Sequence, residues 1–192
     1  MKIDRYPAIK AAAKALFQVK GYNAVTMRDI AGEVGIGVNV IYRNTPSKSA
    51  LLGDIFRDYF KEALKRINDL QQPRGSKVDI IMAYLQELYT MDIEILDLRR
   101  LGVEASWCWE ISQEKEFEML VGLELFKPIN NALSEKGMYL DEYTRWAIWA
   151  IYTEGLRRSG IEMRAFKDQQ NQVKKQFIER VRKQVSLVIA SD

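Results

Sequence analysis

The stretch TMRDIAGEVGIGVNVIYRN, residues 26–44, is the most informative part of this 192-residue sequence. It predicts two short helices that meet at a turn containing Gly35 and Gly37. Thr26 is a suitable N-cap for the first helix, and Asp29 three residues later completes a capping box. The apolar residues are spaced so that both helices pack on a third one, and they are Ile30, Ala31, Val34, Ile36 and Ile41. The stretch therefore predicts a helix-turn-helix motif whose second helix faces outward.

The second helix of such a motif fits the major groove of B-DNA. Its outward residues would be Gly37, Val38, Asn39, Val40, Tyr42, Arg43 and Asn44. An asparagine can pair with an adenine edge, and a valine can meet a thymine methyl group. Tyr42, Arg43 and Lys48 can reach phosphates. Periodicity alone leaves open an alternative, a corner between two helices of a bundle that has no role in DNA binding.

The charge distribution favours a polyanionic partner for the N-terminal region. The whole chain carries 29 basic and 26 acidic side chains, a net charge of +3. Residues 1–50 hold eight of the basic and three of the acidic ones, which gives +5 there and −2 for the remainder. A basic N-terminal region followed by a near-neutral remainder is a modest electrostatic indication of nucleic-acid binding. The alternative is an ordinary lysine-rich surface.

Helical periodicity extends along the rest of the chain. Before the motif, residues of about 4–20 form an amphipathic helix that Gly21 can end. After it, Thr45-Pro46 begins a long helix. Further helical segments lie at about 77–96, 97–111, 114–136, 141–158 and 166–189, with Pro128 expected to kink or split the third of these. Since no stretch alternates with period two, the sequence predicts an all-α protein of about nine helices.

The composition argues against enzymes and metal sites. Histidine, the commonest general acid or base and a frequent zinc ligand, is absent. Carboxylates such as Glu104, Glu110 and Glu154 show no spacing that singles out an acid–base pair. We therefore expect no catalytic residue, metal or cofactor, and an all-α enzyme is the weakest alternative. The single cysteine, Cys108, favours a reducing cytoplasm, and the absence of a leader-like or long apolar segment predicts no membrane association.

An ordered set of motifs spans about 45 residues near the N-terminus. It comprises Leu16-Phe17, Gly21-Tyr22, Thr26, Ile30-Ala31, Gly35, Ile41-Tyr42 and Ser47-Lys48, followed by Leu51-Leu52. This order resembles the N-terminal domain of the TetR (tetracycline repressor) family. The resemblance implies an all-α homodimer in which residues 1–48 form a helix-turn-helix DNA-binding domain. Residues 49–192 would form an effector-binding and dimerisation domain.

The same resemblance implies roles for individual residues. Thr26 would bind a phosphate through its hydroxyl and backbone, and Arg28 would contact a base or a phosphate. Positions 37–40 would face the bases, while Tyr42 and Lys48 would clamp the DNA backbone. These roles predict a DNA-binding surface formed by the start of the first helix of the motif and the outer face of its second helix.

The sequence departs from the family pattern at the second helix of the motif. Gly37, Asn39 and Val40 replace the small hydroxyl residues and glycine that are usual there. Asn44-Thr45 stands where His-Phe is common, which removes an aromatic packing residue beneath the recognition helix. These departures favour one alternative, a helical small-molecule-binding protein that has lost DNA recognition.

The C-terminal body contains candidate dimer and ligand residues. Segments 141–158 and 166–189 are expected to pair with their two-fold mates through Trp146, Ala150, Gly155, Phe177 and Val181, although the same stripes could face their own subunit's core. The resemblance implies a small effector held between the central helices, whose aromatic and adaptable side chains suit an apolar pocket and could equally be ordinary core. Its candidate residues are Tyr84, Arg100, Glu104, Trp107, Trp109 and Phe126, of which Arg100 and Glu104 could equally be an exposed i,i+4 pair.

Together these features predict a cytoplasmic regulator of transcription. We expect it to bind a pseudo-palindromic double-stranded operator as a homodimer, most simply as a repressor. Binding of an unknown small-molecule effector would then release the DNA.

Overall fold

The computed structural model describes residues 5–71, 73–96, 98–101 and 111–190, apart from the side chain of Gln113. Within these ranges the regular structure is entirely helical, which confirms the all-α prediction. Nine α-helices have their bounds inside the described ranges: α1 (Tyr6–Lys20), α2 (Met27–Val34), α3 (Val38–Tyr42), α4 (Lys48–Asn68), α5 (Lys77–Asp92), α6 (Ile111–Glu118), α7 (Lys127–Ser134), α8 (Glu142–Ala165) and α9 (Gln170–Ile189). Short 3-10 turns at Ile93–Ile95 and Lys167–Gln169 follow α5 and α8.

The chain forms two compact units. The first consists of Met1–Lys61 with Asp97–Gln113, and the second of Glu62–Leu96 with Glu114–Asp192. Helix α4 begins in the first unit and ends in the second. The functional boundary expected after residue 48 falls at the first residue of α4 and stays a prediction.

The core of the first unit holds the helix-turn-helix together. Ile9, Ala13 and Phe17 of α1 are buried, as are Ile30 and Ala31 of α2 and Ile41 of α3, while Val34 and Ile36 are half-buried. Gly35 ends α2 in the left-handed region at φ 69°, a backbone conformation that favours glycine. The predicted packing of two short helices on a third is therefore confirmed.

In the second unit, α8 and α9 form an antiparallel hairpin joined by residues 166–169. Of the predicted stripe of α9 (Val173, Phe177, Val181, Val185 and Val188), the first four residues are buried and Val188 is half-buried. Tyr89 of α5 stacks on the Phe177 ring with 4.0 Å between ring centroids. Helix α5 therefore covers the inner side of the hairpin.

Two buried hydrogen bonds connect α5 with α8. The Tyr89 and Ser159 hydroxyls lie 2.6 Å apart, and the Tyr152 hydroxyl donates to a carboxylate oxygen of Asp92 at 2.6 Å. Asp92 and Ser159 have no solvent exposure. Because a buried polar group without a partner is costly, these bonds fix how α8 rotates against α5.

Two of the residues expected at a dimer interface lie inside the protomer, and a third, Gly155, is half-buried against them. Phe177 and Val181 have no solvent exposure. A Cβ built on Gly155 would lie 2.8 Å from Val181 Cγ2 and 3.1 Å from Phe177 Cε2. Gly155, one of the small residues that suggested pairing with a second chain, thus serves the contact between α8 and α9. Trp146 is half-buried, and Ala150 is exposed.

The segment expected as one helix over 114–136 is split, as Pro128 predicts. Helix α6 continues into a π-helix over Met119–Leu125, and α7 begins at Lys127 with Pro128 in its first turn. Proline has no backbone N–H, so it fits the first turn of a new helix better than the middle of an old one. The segment expected at 97–111 lies largely outside the described residues.

The close approach at Gly155 makes a prediction for two alanine variants. Gly155→Ala should destabilise the protein by about 1–2 kcal/mol, because its new methyl group has to displace buried Val181 and Phe177. Gly32→Ala is the matched control, since Gly32 is an exposed helical glycine with no heavy atom within 4 Å of an added Cβ. It should stabilise the protein by up to about 1 kcal/mol through helix propensity. Urea unfolding of both variants tests this, and equal stability changes would contradict it.

Candidate nucleic-acid interface

The N-terminus of α2 carries the predicted capping box. The Asp29 backbone N–H donates to Thr26 Oγ1 at 3.1 Å, and the Thr26 backbone N–H and hydroxyl each donate to Asp29 Oδ2 at 2.7 Å. Hydrogen bonds from the Thr26 side chain and then its backbone lower the pKa of Asp29 below its ordinary value. Both residues are exposed, and so is Arg28 between them. The first turn of α2 is therefore a fixed, solvent-facing helix start, where backbone N–H groups attract anions.

The recognition helix α3 exposes most of the residues that the sequence predicted. Gly37 precedes the helix as its N-cap, and Ile41 is buried beneath it. Gly37, Asn39, Tyr42 and Arg43 are exposed, whereas Val38 and Val40 are half-buried. Tyr42 keeps 51% of its surface in solvent, a large fraction for an aromatic side chain. One amide, one phenol and one guanidinium thus project from the outer side of α3.

Asn44 and Thr45, which depart from the family pattern after α3, have structural roles of their own. Asn44 turns back onto its helix, where Nδ2 donates to the Val40 carbonyl at 2.8 Å. Thr45 is 1% exposed, and its hydroxyl donates to the Ser47 carbonyl at 3.3 Å. A small buried hydroxyl therefore occupies the position where a packing aromatic was expected.

A polar cluster surrounds Thr45. The Tyr6 hydroxyl of α1 donates to the Asp54 carboxylate of α4, and Arg57 pairs with the same carboxylate. Burial and then the hydrogen bond to Asp54 raise the pKa of Tyr6 to about 12, although a hydrogen bond with Thr45 opposes this. Tyr6 is thus neutral at physiological pH and joins α1, α4 and the end of the recognition helix. These contacts supply part of the support that the missing aromatic would give.

Lys48 is placed differently from the other predicted phosphate contacts. Its ammonium donates to the carbonyls of Tyr22 at 2.8 Å and Val25 at 2.9 Å. It also lies 4.3 Å from the centroid of the Tyr22 ring. Burial lowers the pKa of Lys48 from its ordinary value. The sequence offered no signal for this arrangement, because Lys48 lies 26 residues from Tyr22 and 23 from Val25 along the chain.

The predicted effector residues are only partly described. Tyr84 and Phe126 are buried in the second unit, and Arg100 is exposed. Glu104, Trp107 and Trp109 lie outside the described residues, as does Cys108. The buried pairs Tyr89–Ser159 and Tyr152–Asp92 were not anticipated, because nothing in the spacing of these residues indicates that they meet.

Neither a metal site nor a membrane-spanning helix is found among the described residues. No group of three or more histidine, cysteine, aspartate or glutamate side chains there could hold a metal ion. None of the helices in the described ranges is long and apolar enough to cross a membrane.

Comparison with known proteins connects this geometry to a family. Residues 9–55 match the family model described as bacterial regulatory proteins, tetR family. This match contains the capping box, the recognition helix and Lys48. None of the curated proteins matches the sequence.

Solved structures of the family share the fold over nearly the whole chain. A regulatory protein of the tetR family from Rhodococcus RHA1 is 20% identical, with 95% of this chain and 97% of that chain covered at a TM-score of 0.65. The regulator FadR from Bacillus subtilis, solved with stearoyl-CoA, is 15% identical with 90% and 97% covered at 0.66. FadR from Thermus thermophilus, a repressor solved with lauroyl-CoA, is 18% identical with 96% and 93% covered at 0.65. Residues 9–55 therefore match the tetR family of bacterial regulatory proteins, and the helices of the whole chain have the fold of these solved regulators.

Proposed function

We propose that this protein is a transcriptional repressor that binds a pseudo-palindromic operator as a homodimer and releases it when a small molecule binds. The observation that carries the proposal is the recognition helix α3, whose outer residues Asn39, Tyr42 and Arg43 are exposed while Ile41 anchors it from below. This helix lies within the part of the chain that matches the tetR family. Such a protein acts in the cytoplasm, where the operator is reached.

The exposed groups suit the two kinds of contact that a specific DNA complex needs. The Asn39 amide can donate to and accept from an adenine edge, and Gly37 leaves room for close approach to the groove. The Tyr42 hydroxyl and the Arg43 and Arg28 guanidinium groups can bind phosphates and fix the position of α3. We therefore propose Asn39 as a base-reading residue and the other three as anchors.

The dimer proposal rests on the outer faces of α8 and α9. Tyr143 is 87% exposed and Leu187 is 66% exposed. Gly155 packs on Val181 in an antiparallel hairpin, so residues before Gly155 lie beside residues after Val181. The first half of α8 and the end of α9 thus lie side by side. Their exposed or half-buried apolar and small residues, which together define the proposed dimer strip, are Tyr143, Trp146, Ala147, Ala150, Leu187 and Ala190. We propose that this strip pairs with its copy across a two-fold axis, because two half-sites of an operator require a two-fold protein.

The effector proposal draws on the fold and on the second unit. Two of the similar structures contain acyl-CoA molecules with long apolar chains. The second unit of this chain buries many aromatic and aliphatic side chains, among them Tyr84 and Phe126. We propose a long-chain acyl-CoA as the effector class to test first. Its binding would favour an arrangement in which the two recognition helices no longer match the half-site spacing of about 34–36 Å.

The reading surface is tested with Arg28→Ala and Tyr42→Ala. Each should weaken binding to DNA from upstream of the protein's own gene. Arg28→Ala removes a cation, so it should also reduce the magnitude of the slope of log K against log salt by about 0.9, whereas Tyr42→Ala removes no cation and should leave the slope unchanged. Fluorescence anisotropy at several salt concentrations measures both quantities. Lys174→Ala, which removes an exposed charge from α9, is the control and should behave like the wild type.

Unchanged DNA binding by both Arg28→Ala and Tyr42→Ala would refute the assignment of the DNA-binding surface. A wild-type protein that does not distinguish this DNA from scrambled DNA would favour a binding protein without DNA recognition.

The dimer surface is tested with Ala150→Glu and Leu187→Glu. Both side chains are exposed, so the fold should survive, whereas like charges brought together across a two-fold axis should shift the protein to monomers. Sedimentation velocity reports the mass, and circular dichroism checks the helix content. Lys174→Glu places the same charge elsewhere on α9 and should leave the dimer intact. Dimers in all three variants would place the interface on another surface.

The effector class is tested by adding lauroyl-CoA, free CoA or laurate to the protein–DNA complex. Lauroyl-CoA should release the DNA and raise the unfolding temperature of the free protein, because a ligand stabilises the state it binds. Free CoA and laurate should have much smaller effects. Release by none of the three would refute this effector class and leave the DNA-binding proposal unaffected.

A further inference from the structure

The most informative unexplained contact in the first unit is made by Lys48. This residue begins α4, yet its ammonium lies against the segment between α1 and α2. Two of the three N–H bonds of Lys48 are already used on carbonyls within the protein. Its geometry therefore points to a role that exists before DNA binds.

We propose that Lys48 is a positioning residue that holds the segment Tyr22–Val25, and thereby directs Thr26 and the N-terminus of α2 toward a DNA phosphate. This inference rests on the proposed DNA-binding function. It replaces the clamp role expected from the sequence with an action through the backbone of the preceding loop.

The contacts of the segment explain why a cation is needed there. The Tyr22 carbonyl accepts from the Val25 backbone N–H at 3.3 Å and from Lys48 at 2.8 Å, and the Val25 carbonyl accepts from Lys48 at 2.9 Å. Gly21 before the segment has φ 81°, a conformation that glycine adopts without strain. The turn has one long backbone hydrogen bond and follows a permissive glycine, so side chains have to constrain its backbone in addition to the burial of Val25. Lys48 supplies that constraint through two charge-assisted hydrogen bonds.

The Tyr22 side chain anchors the same cation from a second direction. Its ring centroid is 4.3 Å from the Lys48 ammonium and 5.2 Å from the centroid of the Phe17 ring. Phe17 is buried in the core of the first unit. The cation–π contact therefore ties the loop and the start of α4 to α1, the helix against which the motif packs.

The segment leads directly into the proposed phosphate site. Val25 is 1% exposed, and the next residue is Thr26, the N-cap of α2. A shift of Val25 would turn the Thr26–Asp29 capping box and the first backbone N–H groups of α2.

The test compares Lys48→Met, Lys48→Arg and Arg43→Met. Methionine retains an apolar stem of similar length without donors, arginine retains the charge and the donors, and Arg43→Met removes an exposed cation from the end of α3. Hydrogen exchange of the free protein is followed at the Val25, Thr26 and Asp29 amides, each of which is hydrogen-bonded. DNA affinity and its salt slope are measured by anisotropy, well below the unfolding midpoint of each variant.

We expect Lys48→Met to accelerate exchange at these three amides and to weaken DNA binding about tenfold, the equivalent of about 1.4 kcal/mol. The salt slope should stay at the wild-type value, because no direct phosphate contact is lost. Lys48→Arg should restore most of the protection and the affinity. Arg43→Met should lower the slope without changing exchange at the loop.

Three outcomes would overturn the inference. Unchanged exchange with a slope lowered by about 0.9 would make Lys48 a direct phosphate contact. Faster exchange with unchanged DNA affinity would make Lys48 a stabiliser of the loop only. If Lys48→Arg restored neither the exchange protection nor the DNA affinity, the hydrogen bonds to the two carbonyls would be excluded as the cause. A wild-type protein that binds no DNA would refute the proposed function itself, a result distinct from any failure of the Lys48 variants.

Discussion

The recognition helix is too short to determine its own direction. Helix α3 has five residues, far below the length at which a helix persists alone in water. Its orientation therefore depends on the burial of Ile41 against a core that α1 and α2 build with Phe17 and Ile30. The left-handed turn at Gly35 brings the chain from α2 into that position. The exposure of Asn39, Tyr42 and Arg43 is a consequence of this single anchored face.

Polar contacts add to the orientation that the apolar core gives the helix-turn-helix. Thr45 is buried at the end of the recognition helix and is adjacent to the Tyr6 hydroxyl, which itself bonds to Asp54. A hydroxyl network is more directional than an aromatic side chain in the same place, because each bond fixes both an angle and a distance. Lys48 has the same kind of effect at the other end of the motif, where it binds two loop carbonyls. The helix-turn-helix of α2 and α3 is thus supported by apolar packing beneath it and by hydrogen bonds at its two ends.

The second unit shows how one sequence pattern can serve two different surfaces. Gly155 of α8 lets α9 approach closely, and the stripe of α9 that contains Phe177 is buried in that contact. The residues that remain outside, such as Tyr143 and Leu187, are the ones available to a second chain. Bidentate hydrogen bonds between Arg180 and Glu162, both at 2.7 Å, further join the two helices and lower the pKa of Glu162. The hairpin is therefore a rigid element on which the proposed dimer strip is displayed.

The sequence alone determined the features that depend on neighbouring residues. The capping box at Thr26, the turn at Gly35, the break at Pro128 and the all-α class follow from hydrogen bonds, backbone dihedral angles and a 3.6-residue period that act within one or two turns. The order of motifs around Ile30-Ala31 also sufficed to identify the tetR-type head. Only the tertiary structure decided that Phe177 faces inward, that Thr45 meets Tyr6 and that Lys48 binds the loop of Tyr22. Periodicity defines a helix face without naming what covers it, and a contact between residues distant along the chain requires a geometry that only the packed helices provide.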